Sequence, residues 1–330
     1  MARKRVGLIR CSESLNIGNN FINEGAKNLL AQAFHGIADE VEFFEVEFFD
    51  SSSRNVGYTY PSVALTGSAK NALESSDLII QFAGSVFNLS AEPALSEIGG
   101  LQVPKVLLGA SAAGYCEEER QLVERAVRDY DRVILRDLET AAYFGLASAS
   151  NVISGIDMAF FIDRSFLTAQ DRSYAVVNLD PITEHTESRD TYVEELLARF
   201  PEVYVVENSA TRQTQHERYV HIGGWKGLYG MYANAGEVVT TRVHTAVACS
   251  VSCTPFHYVG LDETHPNGKR ASLFSRVGFK LQTGMQYGTN ELSDFNAYLE
   301  PQKRSMVHRI RSELVSLGFK RKLLHSIVGR

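Results

Sequence analysis

Residues 236–262 read GEVVTTRVHTAVACSVSCTPFHYVGLD and place a strand, a helix and a second strand in close succession. The β-branched residues over 238–241 predict a buried strand, and the small apolar residues over 243–253 predict a buried helix. Pro255 then precedes a second apolar strand over 256–261. Strands and helices that alternate in this way predict an α/β fold with a parallel sheet.

Two side chains of this segment suit a binding site. Arg242 and His244 lie where the first strand passes into the helix. In an open α/β sheet, ligands bind at the carboxyl ends of the strands, and the backbone N–H groups of the following helix favour an anion there. Arg242 adds a positive charge and His244 a titratable proton. The segment therefore predicts a site for a small anionic substrate.

The same alternation of strands and helices extends along the chain. Predicted strands cover 5–9, 41–49, 77–82, 105–108, 132–135, 174–179 and 203–206, and predicted helices cover 20–34, 117–130, 137–144 and 191–200. A polar connection over 160–173 interrupts the pattern. We therefore predict two doubly wound, Rossmann-like α/β domains, over 1–165 and 173–290, followed by basic carboxyl-terminal helices over 291–330.

Composition excludes several classes of function. The 330 residues are 44% hydrophobic and 22% charged, with a formal net charge of −6, which argues against a nucleic-acid partner. No stretch approaches the roughly 18 apolar residues of a membrane span. The amino terminus, MARKRVGLIR, has too short an apolar run for a signal peptide. These features predict a cytoplasmic protein.

The four cysteines are Cys11, Cys116, Cys249 and Cys253, which are too few and too scattered for a disulfide scaffold. Cys249 and Cys253 are four residues apart on a predicted helix, as a pair of metal ligands would be. No histidine or carboxylate accompanies them at ligand spacing, so buried free cysteines are the favoured interpretation. We predict no metal site.

The tail from Pro301 onward is basic on one side and apolar on the other. The basic residues are Lys303, Arg304, Arg309, Arg311, Lys320, Arg321, Lys322 and Arg330. One interpretation is peripheral contact with the anionic inner face of a membrane. The favoured interpretation is a terminal helix whose apolar side packs on the body of the protein, because basic residues also suit a helix carboxyl terminus.

Asparagine and glycine follow the first predicted strand, in the segment CSESLNIGNN over 11–20. Asn16, Gly18, Asn19 and Asn20 predict a turn that opens the first long helix. Amide side chains and exposed N–H groups at such a turn suit sugar hydroxyls or a phosphate. The same residue types form ordinary helix N-caps, and both interpretations stay open.

Two further predicted strands end in candidate residues. Gly84 and Ser85 end the strand DLIIQFAGS, either as a tight turn or as a place where the backbone approaches a ligand. Arg136 and Asp137 follow the strand over 132–135. They form either an ion pair at a helix start, which is the more common arrangement, or a clamp for an anionic ligand.

Taken in order, these segments resemble the polysaccharide pyruvyltransferase family. The matching residues are Asn16-Ile17-Gly18-Asn19, with Asn19 in place of the usual Asp, Ala83-Gly84-Ser85, Arg136-Asp137-Leu138-Glu139-Thr140 with Gly145, Asp157-Met158-Ala159-Phe160, Arg242-Val243-His244 with Pro255, and Lys269 or Arg270 as the following basic residue. The resemblance extends over about 6–278. Each motif is weak, whereas the ordered set is fairly specific.

The resemblance implies a fold similar to that of GT-B glycosyltransferases, with phosphoenolpyruvate as donor substrate and no cofactor. A pyruvate ketal would form on a sugar of a polysaccharide or of a lipid-linked precursor, and phosphate would be released. Arg242 and Arg136 would hold the two anionic ends of the donor, and His244 would assist the departing phosphate. Residues of the other motifs would bind the substrates.

Two alternatives stay open. A GT-B glycosyltransferase that uses a nucleotide sugar would need a carboxylate to bind the ribose, and Asp262 and Glu263 are the nearest candidates to the Arg242 helix. A non-catalytic, glycan-associated protein with a decayed site would explain Asn19, which removes a possible carboxylate base.

Overall fold

The computed structural model describes residues 3–11, 17–47, 65–88, 92–167, 172–179, 186–208, 216–261 and 271–319. The chain divides into two compact units, each assembled from segments that are distant in sequence. The first unit comprises Met1–Ser12, Ala26–Met158 and Lys303–Arg330, and the second comprises Glu13–Gly25 and Ala159–Gln302. The predicted domains are, by contrast, continuous segments.

The first unit contains a parallel sheet. Its strands are β1 Lys4–Arg10, β2 Val41–Glu47, β3 Leu78–Phe82, β4 Lys105–Ala110, β5 Arg132–Leu135 and β6 Val152–Ser154. Their spatial order is β2-β1-β3-β4-β5-β6, and neighbouring strands pair in parallel. The chain moves from β1 outward to β2 and then to β3 on the other side of β1. The carboxyl ends of β1 and β3 therefore form the switch point at which such sheets bind ligands.

The helices of this part of the chain carry buried apolar side chains. They are α1 Ile17–Ala33, α2 Gly67–Glu74, α3 Glu92–Gly99, α4 Arg120–Asp129 and α5 Glu139–Tyr143. In α4, Leu122, Val123 and Ala126 are buried at helical spacing, as the sequence pattern predicts. The sequence prediction includes β1 to β5, α1, α4 and α5, and lacks α2, α3 and the short edge strand β6.

The second unit contains a sheet of mixed direction. Its strands are β7 Tyr174–Asn178, β8 Glu202–Val205, β9 Glu237–Thr240, β10 Phe256–Tyr258 and β11 Met285–Tyr287, in the order β11-β10-β9-β7-β8. β7 to β10 pair in parallel, as predicted, whereas β11 is antiparallel to β10. The parallel prediction is thus corrected at the β11 edge. The switch point of this sheet lies between β7 and β9, because β7 leads to β8 on one side and β8 leads to β9 on the other.

The helices of the second half are α6 Thr186–Leu197, α7 Trp225–Asn234, α8 Val243–Ser252, α9 Ser272–Ser275 and α10 Thr289–Ser316. α8 confirms the helix predicted over 243–253, and its residues from Thr245 onward are buried. It ends at Ser252, and the C-cap residue Cys253 adopts a left-handed conformation with a φ of 55°. Thr254 and Pro255 then lead directly into β10, so strand, helix and strand follow one another as the sequence indicates.

The carboxyl-terminal helix begins close to its predicted start. α10 begins at Thr289, against a prediction of helices from residue 291, and it continues through Pro301, the residue at which the basic tail of the sequence begins. In its second half, Met306, Val307, Ile310 and Leu314 are buried. The helix therefore packs its apolar side on the first unit, in agreement with the favoured interpretation of the tail.

Two basic residues of the tail contribute to this packing. Arg309 donates to the backbone carbonyl of Ser154, and Arg311 donates to those of Gln32 and Ala33. Residues 320–330 lie outside the described part, so contact of this end with a membrane stays a prediction. Within the described ranges, no helix combines the length and apolar character needed to cross a bilayer.

Candidate functional site

The switch point of the second sheet places Arg242 and His244 at the amino end of α8. Arg242 occupies the N-cap position with extended backbone angles, a φ of −95° and a ψ of 122°. Its backbone N–H donates to the Thr240 hydroxyl at 2.9 Å. Both Arg242 and His244 are half-buried. The structure thus places both residues at the strand end where the sequence predicts them.

The first turn of α8 is suited to an anion. Within the described residues, the side chain of the N-cap residue Arg242 makes no capping hydrogen bond to the N–H groups of this turn. The amino end of a helix carries a partial positive charge, and its first N–H groups have no acceptor within the helix. A phosphate or carboxylate at this end would meet those N–H groups together with Arg242 and His244.

Asn178, the last residue of β7, links the strand ends to this turn. Its side chain is fully buried. The amide nitrogen donates to the Val206 carbonyl at 3.0 Å, and the amide oxygen accepts from the hydroxyls of Thr245 at 2.9 Å and Thr240 at 3.3 Å. Because Thr240 ends β9 and Thr245 lies in α8, Asn178 joins two strands and one helix.

The network continues to α7. The side-chain nitrogen of Asn208 donates to the Thr245 hydroxyl at 3.1 Å, and the Tyr232 hydroxyl donates to the Asn208 side-chain oxygen at 2.6 Å. Burial raises the pKa of Tyr232, which therefore stays a neutral hydrogen-bond donor. The amino end of α8 is thus positioned by a buried, neutral network whose partners are mutually satisfied.

Sequence reasoning missed these network residues. Asn178 ends the apolar strand YAVVN, and Thr245 lies in an apolar helix. Each is thus a polar residue at a position where the sequence pattern predicts burial and an apolar side chain is usual. This signal identifies candidates, but it does not pair them, because Asn178 and Thr245 are 67 residues apart.

Arg136, in the first unit, is a buried ion-pair partner. It is 3% exposed. Its Nη1 donates to Asp157 at 2.8 Å, its Nε donates to the Ser111 hydroxyl at 2.9 Å, and its Nη2 donates to the Ser85 hydroxyl at 2.9 Å. Burial alone would lower the pKa of Arg136, whereas the carboxylates of Asp157 and Asp137 raise it above its ordinary value. Arg136 is therefore held in its charged form.

The geometry corrects the partner that the sequence indicates for Arg136. The ion pair is formed with Asp157, which is 21 residues away, rather than with the adjacent Asp137. Asp137 accepts instead from the backbone N–H of Thr140 at 2.8 Å and from the Tyr115 hydroxyl at 3.2 Å. Asp137 therefore stabilises the start of α5, while Arg136 connects the segments that follow β3, β4 and β5.

Gly84 and Ser85 belong to this buried arrangement. The Gly84 carbonyl accepts from the backbone N–H of Ser111 at 2.8 Å, and the Ser85 hydroxyl accepts from Arg136. The two residues thus form a tight turn that is tied to the neighbouring strand end. A ligand that bonded Arg136 directly would have to displace Ser85 or Ser111.

Cys11 lies at the carboxyl end of β1. Its thiol donates to the Phe82 carbonyl at 3.3 Å, across the switch point between β1 and β3. Burial raises the pKa of Cys11 to about 12, against the opposing effect of the Arg136 charge. At neutral pH the residue is therefore a thiol, which makes it a poor nucleophile.

The predicted turn at the start of the first helix is corrected in part. Gly18, Asn19 and Asn20 already lie in the first turn of α1, which begins at Ile17. Asn20 is 8% exposed, and its side-chain oxygen accepts no hydrogen bond from the described residues. Asn20 therefore points into the protein rather than capping the helix.

Other candidates lie outside the described residues. They are Asn16, Lys269 and Arg270, together with Asp262 and Glu263 of the glycosyltransferase alternative. Cys249 is buried, and Cys253 accepts a hydrogen bond from the Asn296 amide at 3.3 Å. Within the described ranges, no group of three or more His, Cys, Asp or Glu side chains could hold a metal ion.

The fold is similar to that of GT-B-type enzymes. The UDP co-structure of S. aureus MnaA matches with a TM-score of 0.51 and 11% identity, over 93% of this chain and 91% of that one. UDP-GlcNAc 2-epimerase from Neisseria meningitidis, bound to UDP-GlcNAc, matches with a TM-score of 0.50 and 10% identity, over 92% and 94%. At such identities the likeness shows the fold, and it confirms the predicted GT-B-like class.

The family assignment comes from the sequence match. The model of the polysaccharide pyruvyl transferase family matches residues 16–263. No curated protein matches the chain significantly. The chain belongs to the polysaccharide pyruvyl transferase family, as the ordered motifs indicate, and it is thus a transferase.

Proposed function

We propose that the protein transfers the enolpyruvyl group of phosphoenolpyruvate to sugar hydroxyls of a polysaccharide or its precursor, forming a pyruvate ketal and releasing phosphate. The observation that carries the proposal is the placement of Arg242 and His244 at the amino end of α8, in a member of this family. A small dianion needs fixed positive charge and N–H donors in one place, and this end of α8 offers both.

The donor carries a carboxylate and a phosphate. Arg242 can bond one of these groups in a bidentate manner, and the backbone N–H groups at the amino end of α8 can donate hydrogen bonds to the same group. His244 can donate a proton to the phosphate oxygen that bonds to carbon, or hydrogen-bond to it, and so assist its departure. Neither role requires a metal ion.

The reaction balances without an external oxidant. A proton adds to the methylene carbon of the donor, and the adjacent carbon becomes electrophilic. One sugar hydroxyl attacks that carbon and loses its proton. The bond between that carbon and the phosphate oxygen then breaks, phosphate leaves, and a second hydroxyl attacks and loses its proton to complete the ketal. Side chains that stabilise the positive carbon and the leaving phosphate accelerate these steps.

The structure changes the role that we propose for Arg136. The sequence assigns it to the second anionic end of the donor, but Asp157, Ser85 and Ser111 already bond its three side-chain nitrogens. We propose that Arg136 positions the turns after β3 and β4. We propose instead that Lys269 or Arg270, the basic residue that follows the Pro255 strand in sequence, binds the second anionic group.

We propose acceptor binding by the residues of the two remaining motifs. Gly18, Asn19 and Asn20 lie in the first turn of α1, and Gly84 and Ser85 follow β3. Amides, hydroxyls and backbone groups of this kind suit the hydroxyls of a sugar. The acceptor is a glycan or a lipid-linked sugar.

The test is incubation with phosphoenolpyruvate and a panel of glycosides, scored by phosphate release and by a gain in acceptor mass that matches pyruvate. We expect acceptor-dependent phosphate release, which Arg242→Ala strongly reduces. Binding of a UDP-sugar without binding of phosphoenolpyruvate would instead establish the glycosyltransferase alternative. Absence of both would favour the non-catalytic alternative.

A further inference from the structure

A separate pocket lies in the second unit, between the β11 segment and α10. Its volume is about 380 Å³. The buried rings of Phe279, Tyr287 and Phe295 form part of its lining. β10 lies between β11 and β9, and the lining does not include Arg242 or His244. The pocket is therefore distinct from the candidate donor site.

Two side chains of opposite charge and one amide line the same pocket. Lys280 and Glu291 are exposed, and Gln282 is half-buried. An anionic ligand would be attracted by Lys280 and repelled by Glu291, and a cationic ligand would meet the opposite combination. The charges therefore favour a neutral ligand that offers several hydrogen-bonding groups.

Tyr298 supplies an exposed aromatic wall. Its side chain is 59% exposed, although it belongs to the pocket lining. Gly278, with a φ of 75°, lies beside the ring, and a Cβ atom at that position would be only 2.6 Å from Tyr298 Cε1. The backbone at Gly278 thus supports the ring closely, and the exposed part of the ring is available for stacking.

The pocket matches the chemistry of a sugar ring, because it combines buried apolar rings, an exposed aromatic ring, and side chains that donate and accept hydrogen bonds. A pyranose has a face of C–H groups that packs on an aromatic ring, and its rim carries hydroxyls that both donate and accept hydrogen bonds. A pocket of this size holds a small ligand of that kind. We propose that the Tyr298 pocket binds one neutral sugar residue of a glycan, as a second carbohydrate site.

The family gives this second site a physical use. A polymer that is held at a second sugar stays near the protein when its modified unit leaves the transfer site, which raises the effective concentration of the next unit. The proposal rests on the family and on the pocket, and not on phosphoenolpyruvate as donor. It therefore survives if the proposed reaction is wrong.

Saturation-transfer NMR with short neutral oligosaccharides of glucose, galactose and N-acetylglucosamine tests the site. We expect at least one of these probes to bind the wild-type protein, and Tyr298→Ala to weaken its binding on the order of tenfold. Arg242→Ala is the matched control, because it changes the donor site and leaves the pocket lining intact. Its oligosaccharide binding should equal that of the wild type.

Further variants guard against a folding defect at Tyr298. The Tyr287 hydroxyl accepts from the backbone N–H of Gln282 at 2.7 Å and donates to the backbone carbonyl of Lys280 at 2.8 Å. Gln282→Ala and Lys280→Ala keep these backbone groups, so they should fold normally and weaken oligosaccharide binding several-fold.

Three results would overturn the proposal: no probe binds the wild type, the pocket variants bind as the wild type does, or Arg242→Ala loses binding to the same extent as Tyr298→Ala. Failure of the proposed reaction has a different signature. In that case phosphoenolpyruvate gives no acceptor-dependent phosphate release, while oligosaccharide binding and its dependence on Tyr298 persist.

Discussion

Two arginines follow strands at the carboxyl edges of the two sheets, and their surroundings differ. Arg136 is 3% exposed and is bonded to Asp157, Ser111 and Ser85. Arg242 is half-buried and begins α8, where its backbone N–H bonds the Thr240 hydroxyl. The same pattern of a strand followed by arginine thus marks a structural ion pair in one unit and a candidate anion ligand in the other.

The side-chain contacts that connect the strand ends also differ between the two sheets. In the first unit, the charged pair of Arg136 and Asp157 connects the strand ends. In the second unit, the neutral side chains of Asn178, Thr240 and Thr245 connect them. The neutral network places no negative charge beside a substrate anion. The buried Asp157 carboxylate of the first unit would repel such an anion. The comparison therefore favours the second edge as the donor site.

Removing one partner of the buried ion pair should have the largest effect. Arg136→Ala leaves Asp157 buried without its countercharge, and we expect a loss of about 3–5 kcal/mol in the free energy of unfolding. Urea unfolding, followed by circular dichroism, measures this change. Arg128→Ala, which removes an exposed partner of Asp129, is the matched control and should leave stability unchanged.

A small loss of stability in Arg136→Ala, together with a large loss of phosphoenolpyruvate binding, would contradict the structural role of Arg136 that distinguishes it from Arg242. It would show that Arg136 acts as a donor ligand, as the sequence suggests, and that Ser85 and Ser111 release it when substrate binds.

Arg242→Ala should show the reverse pattern. A charge-assisted hydrogen bond contributes about 1.5–3 kcal/mol, so kcat/KM for phosphoenolpyruvate should fall roughly 10- to 100-fold. Because Arg242 is half-buried and begins a helix, we expect its free energy of unfolding to change by less than about 1 kcal/mol. Phosphate-release kinetics and urea unfolding of the same preparation measure both quantities.

Arg242→Lys sharpens this result, because lysine keeps the charge and loses the bidentate geometry. It should have an activity between those of the wild type and Arg242→Ala. Equal activity of all three proteins would exclude Arg242 from the donor site.

Much of the carboxyl edge of the second sheet can be predicted from the sequence, because the residues that form it are close together in the chain. β9, α8 and β10 follow one another within a short stretch, and β-branched residues, small apolar residues and Pro255 mark each element. Arg242 and His244 lie within that stretch. The partners that hold the edge come from elsewhere in the chain, and a linear pattern carries no information on which distant polar residues meet.

Two elements show why the rest of the fold was not predictable. α7 contains Gly227 and Gly230, which lower helix propensity and obscure its apolar pattern, although Tyr229 and Tyr232 are fully buried. In α10, Pro301 predicts a helix boundary, but the helix continues through it because its apolar side is packed. Tertiary packing overrides local preference in both cases.

A substitution in the neutral network should have an intermediate effect. Thr245→Val keeps the shape of the side chain but removes the hydroxyl that bonds Asn178 and Asn208. Removing this hydrogen-bond partner of two buried amides should cost about 1–3 kcal/mol of stability. It should also raise KM for phosphoenolpyruvate several-fold, because the first turn of α8 loses its fixed position.

Thr245→Ser is the matched variant, since it keeps the hydroxyl and loses a methyl group. We expect it to retain the wild-type KM even though the lost methyl lowers its stability. If the two variants have the same KM, the network stabilises the unit without positioning α8.

The smallest effect should appear at Cys11, whose alkylation reports the balance of charge around Arg136. Burial raises the pKa of Cys11 to about 12, the Arg136 charge lowers it, and the Asp157 charge raises it. Asp157→Asn removes one raising contribution, so the thiolate population and the alkylation rate should increase. Mass spectrometry after iodoacetamide treatment measures the rate, with Cys116 as the internal reference.

Arg136→Ala separates this electrostatic effect from local opening of the structure. Loss of the arginine charge raises the pKa of Cys11 further, so a purely electrostatic change slows its alkylation. Opening of the strand ends would instead accelerate alkylation in both variants. Acceleration in Asp157→Asn with slowing in Arg136→Ala would show that the charge of Arg136 still acts on Cys11 within the folded edge. Acceleration in both would show that the ion pair chiefly keeps this edge closed, which is the role that distinguishes it from Arg242.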